Sequence, residues 1–156
     1  MKKRWRSLVI CVLIPLLTGA LASLLTSRGM KSFAALAQPP LSPPGWLFPV
    51  VWTILYVLMG LASWMVYLRL EWPGAREALI WYGVQLAFNF LWSIFFFGAH
   101  LFLLSFFWLL ALLLLIAVTA VKFGRVHPPA GWLLVPYLVW VCFAGYLNLG
   151  VFLLNR

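Results

Sequence analysis

The chain has 156 residues, is 66% hydrophobic and 18% aromatic, and carries 11 Lys and Arg against two acids, Glu71 and Glu77. Charged residues make up 8% of it, against roughly 25% in a soluble domain, so its surface suits a lipid bilayer and not water. The net charge of +9 does not point to nucleic acid: the basic residues sit at the ends of apolar runs, where the positive-inside rule places them, and form no exposed basic face.

A spanning helix needs about 20 apolar residues. Five segments qualify, roughly 7–26, 46–68, 78–98, 101–122 and 131–153. The expected fold class is an all-α membrane protein, a five-transmembrane-helix bundle forming a single domain over 1–156.

The first segment has two readings. Lys2-Lys3-Arg4, an apolar stretch and Ala20-Leu21-Ala22 fit a cleavable signal peptide. The apolar run continues to Leu25, however, and Pro15, Gly19 and Ser23 form a ladder suited to helix packing, which favours a retained helix 1. The loop 27–45 follows. Pro39, Pro40, Pro43 and Pro44 give it an extended, polyproline-like path and keep helix 2 from starting early. Such a stiff loop serves either as a lid over one end of the bundle or as a plain spacer.

Helix 2 offers Trp52 and Tyr56 one turn apart, with Gly60 a turn further. Helix 3 carries Gln85, Asn89 and Trp92 at i, i+4, i+7, one face. Amides at mid-bilayer need partners, so this face points into the bundle. Gly83 and Ala87 lie on the opposite face and read as a dimer seam or as close packing within the chain. Helix 4 is nearly all Leu, Phe, Ile, Val and Ala, broken by Ser105, Trp108 and Thr119; it is expected to have the most lipid contact. Helix 5 aligns Tyr137, Trp140, Ala144 and Asn148 on one stripe, with Pro136 as a kink. Ala144 leaves room beside the Trp140 ring.

Trp46, Trp64, Trp72, Trp81 and Trp132 lie near span ends, as interfacial anchors do. Trp52, Trp92 and Trp140 lie deeper or share stripes with amides, and read either as packing or as ligand contacts. Conventional catalytic chemistry is missing: there are no paired carboxylates, no nucleophile with a base and no phosphate-cradling glycine loop. His100 and His127 fall in loops at opposite membrane sides and read as solvated residues that do not share a metal. Cys11 and Cys142 lie in apolar runs without zinc or CxxC spacing and read as buried thiols. No charge sits in mid-span and no inverted repeat is evident, which leaves transport with the weakest support. A site of indole, phenol and amide groups suits a large, flat, apolar ligand.

With five spans, Lys2, Lys3, Arg4, Arg6, Arg69, Arg76, Lys122 and Arg125 share one side, and Arg28, Lys31 and Arg156 the other. The N-terminus is therefore expected in the cytoplasm and loop 27–45 outside, with a bacterial inner membrane as the default. Arg28 and Lys31 stand where they can meet carboxylates on a ligand.

Several ordered motifs resemble the TspO/MBR family, the tryptophan-rich sensory proteins and translocator (peripheral-type benzodiazepine receptor) proteins. They are Pro15-Leu-Leu-Thr-Gly19, Pro43-Pro44-Gly45-Trp46, Val51-Trp52-Thr53-Ile54-Leu55-Tyr56, Gln85-Leu-Ala-Phe-Asn89-Phe-Leu-Trp92-Ser93 with Phe96-Phe97, and Leu134-Val-Pro136-Tyr137-Leu-Val-Trp140 with Leu147-Asn148. The resemblance implies a five-helix bundle, commonly a homodimer, with a pocket under the loop between helices 1 and 2. It implies a receptor or sensor for porphyrins such as protoporphyrin or haem-like tetrapyrroles, with no required cofactor. In some members it implies light-dependent oxidative breakdown of protoporphyrin, for which Trp52 and Trp140 match the tryptophans involved. Tyr56, Asn89 and Ala144 match pocket positions; with Trp46, Trp52, Gln85, Trp92, Tyr137, Trp140 and Asn148 they make up the expected ligand site. Two departures stand in the loop: Leu41 replaces a frequent tryptophan and Gln38 a frequent lysine. No sterol motif is expected, because Leu149-Gly150-Val151-Phe152 lacks the tyrosine and Tyr146 lies far from Arg156.

Overall fold

The computed structural model describes residues 1–156, as helices joined by turns and short irregular stretches, with no strand. In order these are α1 Lys2–Phe33, α2 Leu47–Tyr67, α3 Ala75–Ser93 continued by a π turn Ile94–Gly98, α4 Phe102–Val126, the short α5 Pro128–Trp132, and α6 Val135–Leu154. Taking α3 with its π turn, and α5 with α6, five helical units are long and apolar enough to cross a membrane.

The first helix is longer at both ends than the apolar run suggests. It continues through Arg28 and Lys31, so the loop shrinks to residues 34–46, and both cations ride on the last turns of α1. Nothing from Thr26 to Phe33 stops a helix, and Lys31 suits the carbonyl end of the dipole. Gly29 is the one poor helix former there, and packing explains it. A Cβ at this position would overlap the carbonyl oxygen of Phe97 in the π turn, so glycine lets α1 lie directly against that turn.

The π turn closes with the Ala99 amide donating to Ile94 O, five residues back. His100 follows with φ +53. Its Nε2 lies 3.0 Å from Gly29 O, which requires that nitrogen to carry the proton. His100 is thus a half-buried tie between the α3–α4 turn and α1, and not a solvated loop residue.

Pro136 does not kink the last helix. The helix breaks just upstream, at Leu133 and Leu134, and Pro136 sits in the first turn of α6, where its missing N–H is not needed. The break lets Gly131 press against the backbone of Ala120 and Gly124 in α4.

α4 is more interior than its composition implies. Ser105, Leu109, Leu112, Ile116, Thr119 and Phe123 form a fully buried stripe at alternating steps of four and three, the signature of one helix face. The strongest lipid exposure belongs to α1, where Ile10, Leu13, Ile14, Leu17, Leu21, Leu24 and Leu25 all face outward. Cys142 is likewise exposed on the apolar surface, while Cys11 is half-buried.

α1 and α2 are locked together at their middles. Gly19 meets the Tyr56 ring, and Gly60 meets the backbone of Cys11 and Val12, with no room for a side chain at either glycine. Above this seam, toward the loop 34–46, the two helices part.

Candidate functional site

The parting of α1 and α2 opens a cavity of about 740 Å³ beneath the loop, inside the range of small-molecule sites. α1 supplies one wall through Leu16, Gly19, Ala22, Ser23, Thr26, Met30 and Phe33. α2 supplies Phe48, Pro49, Trp52, Thr53 and Tyr56; the end of α3 and its π turn supply Trp92, Ser93 and Phe97; Gln38, Pro43 and Gly45 of the loop close the top. No acid, ammonium, guanidinium or imidazole lines it.

The polar groups on its walls are mostly spent locally. Thr26 donates to Ala22 O at 2.8 Å, Thr53 to Pro49 O at 2.6 Å and Ser93 to Asn89 O at 3.5 Å, each within its own helix. What remains toward the interior is aromatic. The Trp52 ring stands 5.6 Å from Tyr56, 6.1 Å from Trp92 and 6.2 Å from Tyr137. Trp92 in turn stacks on Phe96 at 5.3 Å. Such separations are those of interacting rings, so Trp52 is held as a rigid panel.

Of the residues singled out from sequence, Trp52, Tyr56 and Trp92 reach the cavity wall. Gln85, Asn89, Tyr137 and Asn148 lie behind it, 0–1% exposed, held there by hydrogen bonds to other buried groups. Tyr56 Oη donates to Asn89 Oδ1 at 2.8 Å, Asn89 Nδ2 donates to Tyr137 Oη at 2.9 Å, and Tyr137 Oη donates to Gln85 Oε1 at 2.9 Å. Asn148 accepts from Trp92 Nε1 at 3.1 Å and Ser105 Oγ at 3.0 Å, and donates to Phe102 O at 2.8 Å. The amides therefore brace the wall and present no polar edge to the cavity. Gln85 Nε2 and Trp140 Nε1 are buried without a protein partner.

Trp140 and Trp46 are not on this wall. The Trp140 indole lies 5.9 Å from the ring of Phe48, which does line the cavity. Ala144 borders a separate annex of about 20 Å³, walled by Phe48, Trp92 and Phe96 among others. Trp46 caps α2 and is 67% exposed, pointing away while its neighbour Gly45 lines the cavity. Gly83 and Ala87 lie exposed on the outer face of α3, and a Cβ at Gly83 meets nothing, so they pack against no helix of the same chain.

The loop 34–46 is fastened over the cavity from the α6 side. Asn155 grips the backbone of Ala37 at two points, Oδ1 accepting from its N–H at 3.0 Å and Nδ2 donating to its carbonyl at 2.9 Å. Tyr146 Oη donates to Pro40 O at 2.7 Å. Pro39 is buried on Gly150, where a Cβ would collide with the proline ring. Between the two readings of this loop, these ties favour a lid. Leu41 stands at φ +67 and 83% exposed in a turn closed by the Ser42 amide on Pro39 O, so its side chain plays no part in the cavity.

Sequence reasoning missed the α1 wall. Its signal was there as small residues at Gly19, Ala22, Ser23 and Thr26, spaced i, i+3, i+4, i+7, which mark one helix face.

Residues 11–154 match the model of the TspO/MBR family. The chain is 37% identical over 158 residues to a tryptophan-rich protein TspO of Chlorobaculum tepidum, covering 99% of each chain. It is 38% identical over 152 residues to the translocator protein of Bos taurus, covering 92% of this chain and 87% of that one. With the tryptophan-rich sensory protein of Cereibacter sphaeroides it shares 41% identity over 120 residues, covering 77% and 74% respectively.

Proposed function

The chain belongs to the TspO/MBR family of integral membrane proteins, and from that premise we propose that it is a receptor or sensor that binds a porphyrin, or another flat apolar ligand, in the cavity under its lid. The observation that carries this reading is the cavity itself, which is large and apolar, free of ionic groups, and faced by the braced Trp52 ring. A macrocycle gains contact area and orientation from such a panel without the cost of desolvating a charge. Arg28 and Lys31, on the lid-side turns of α1, are the nearest expected partners for its acid groups. Oxidative breakdown of the ligand by Trp52 and Trp140 acting together needs both indoles at the macrocycle, and the place of Trp140 outside the cavity lining weighs against that in the resting arrangement.

Titration of the purified protein with protoporphyrin IX, followed by isothermal calorimetry, tests the reading. Trp52→Ala is expected to weaken binding by about 2 kcal/mol, roughly thirtyfold, through lost stacking area. Trp132→Phe, at an exposed ring on the end of the bundle opposite the lid, is expected to leave the affinity unchanged. Equal affinity in Trp52→Ala and the unmodified protein would remove the cavity as the binding site.

A further inference from the structure

The cavity has an unequal outline. Its inner lining, Ala22, Thr26, Tyr56 and Trp92, is buried. Its outer rim, Ala20 and Ser23 on α1 facing Pro49 and Thr53 on α2, is exposed and made of small side chains. The floor is shut by Gly19 on Tyr56, and the lid is fastened to α6, on the side away from this rim. The mouth therefore lies between α1 and α2.

Its depth decides which solvent it faces. From Ala34 at the lid to Ala20, both lining the cavity, the mouth follows α1 for fourteen residues, about 21 Å at 1.5 Å per residue. The headgroup layer on one side of a bilayer is only about 5–8 Å thick, so most of the mouth opens onto acyl chains. Ser27 and Lys31 continue the rim face of Ala20, at i+7 and i+11. This puts an ammonium at the headgroup end of the slot.

Building on the binding function proposed above, we propose that the cavity is loaded sideways, from the lid-side leaflet, through the slot between α1 and α2. The ligand is accordingly an amphiphile that dissolves in the bilayer, its apolar body entering between Ala20 and Thr53 while an acid group trails at Lys31. The lid acts as a roof.

Stopped-flow quenching of tryptophan fluorescence, with the full chain in phosphatidylcholine vesicles and protoporphyrin IX or its dimethyl ester as probes, tests the route. Ala20→Phe, and independently Thr53→Phe on the facing rim, are expected to slow association about tenfold and dissociation with it, as a narrowed passage does. Asn155→Ala, which frees the lid, is expected to leave association within about twofold. Lys31→Gln is expected to slow the diacid about threefold at low salt and not the ester. Faster binding in Asn155→Ala with unaltered rates in both rim variants would overturn lateral loading and assign entry to the lid. A matching loss for diacid and ester in Lys31→Gln would overturn the headgroup role of Lys31. Absence of saturable quenching in the unmodified protein would instead sink the binding function itself, so the two failures are told apart.

Discussion

At the scale of single residues, Asn148 carries more of the fold than any other polar side chain near the cavity. It joins Trp92 of α3, Ser105 of α4 and the backbone of Phe102 through three hydrogen bonds of 2.8–3.1 Å. Asn148→Leu keeps the branched heavy-atom outline, with bulkier methyls, and strands the Trp92 indole N–H away from water; Ser105 Oγ keeps Phe102 O as its acceptor at 2.9 Å, so the other loss is the tie from α6 to α4. Cross-helix bonds in membranes are worth about 0.6–2 kcal/mol each, so the loss is expected to reach about 2–4 kcal/mol, or roughly 5–15 °C in the thermal unfolding midpoint in detergent. Ser105→Ala removes one of the three and is expected to cost about 1 kcal/mol; an Asn148→Leu midpoint no lower than that of Ser105→Ala would refute the bracing role. The Gln85, Asn89 and Trp92 face was legible in the sequence because three polar or amphipathic side chains at helical spacing must face inward. What they touch was not legible. The partners of Asn89 and Trp92 lie 48 and 56 residues away, and local pattern does not distinguish an amide awaiting a ligand from one already paired.

At the scale of elements, the helix count and order were readable from hydropathy, because each span must hide its backbone within itself. Helix ends were not, since polar residues such as Arg28 and Lys31 prolong a helix beyond its apolar stretch without any mark in the hydropathy. The extra turns of α1 exist through Gly29, which lets α1 rest on the π turn Ile94–Gly98. Substitution by alanine tests this contact with a sign. In an open helical site the change from Gly to Ala stabilises by up to about 1 kcal/mol, and Gly83, with nothing near its Cβ, is such a site. At Gly29 the added methyl meets backbone, which has nowhere to yield, so Gly29→Ala is expected to destabilise by about 1–3 kcal/mol. It should also raise amide exchange in residues 94–101 by freeing the π turn and the His100 tie. A midpoint for Gly29→Ala that rises alongside that of Gly83→Ala would show that α1 does not depend on this contact.

At the scale of the whole molecule, charge and shape together constrain how copies meet. Alternating helices put Arg28, Lys31 and Arg156 at the lid end and the other eight Lys and Arg at the opposite end, an asymmetry that favours one orientation for every copy in a membrane. Two copies inserted the same way would pair about an axis along the membrane normal, so a closed dimer would set the same face of each against the other. The face on α3 with Ile80, Gly83, Val84 and Ala87 is exposed and smooth, and in lipid, where no hydrophobic force joins helices, small residues admit the close backbone approach that drives association. Gly83→Leu separates association from folding. Its Cβ enters open space and leucine is the better helix former by roughly 0.8 kcal/mol, so the protomer should unfold no earlier than the unmodified protein. In a two-fold seam, however, two leucines confront each other where two glycines had met. Energy transfer between donor- and acceptor-labelled copies in vesicles is expected to fall at least about tenfold in apparent association constant, close to 1.4 kcal/mol. Transfer unchanged in Gly83→Leu would move the seam to another face, and the exposed length of α1, with its unbroken apolar surface from Ile10 to Leu25, would be the next to test.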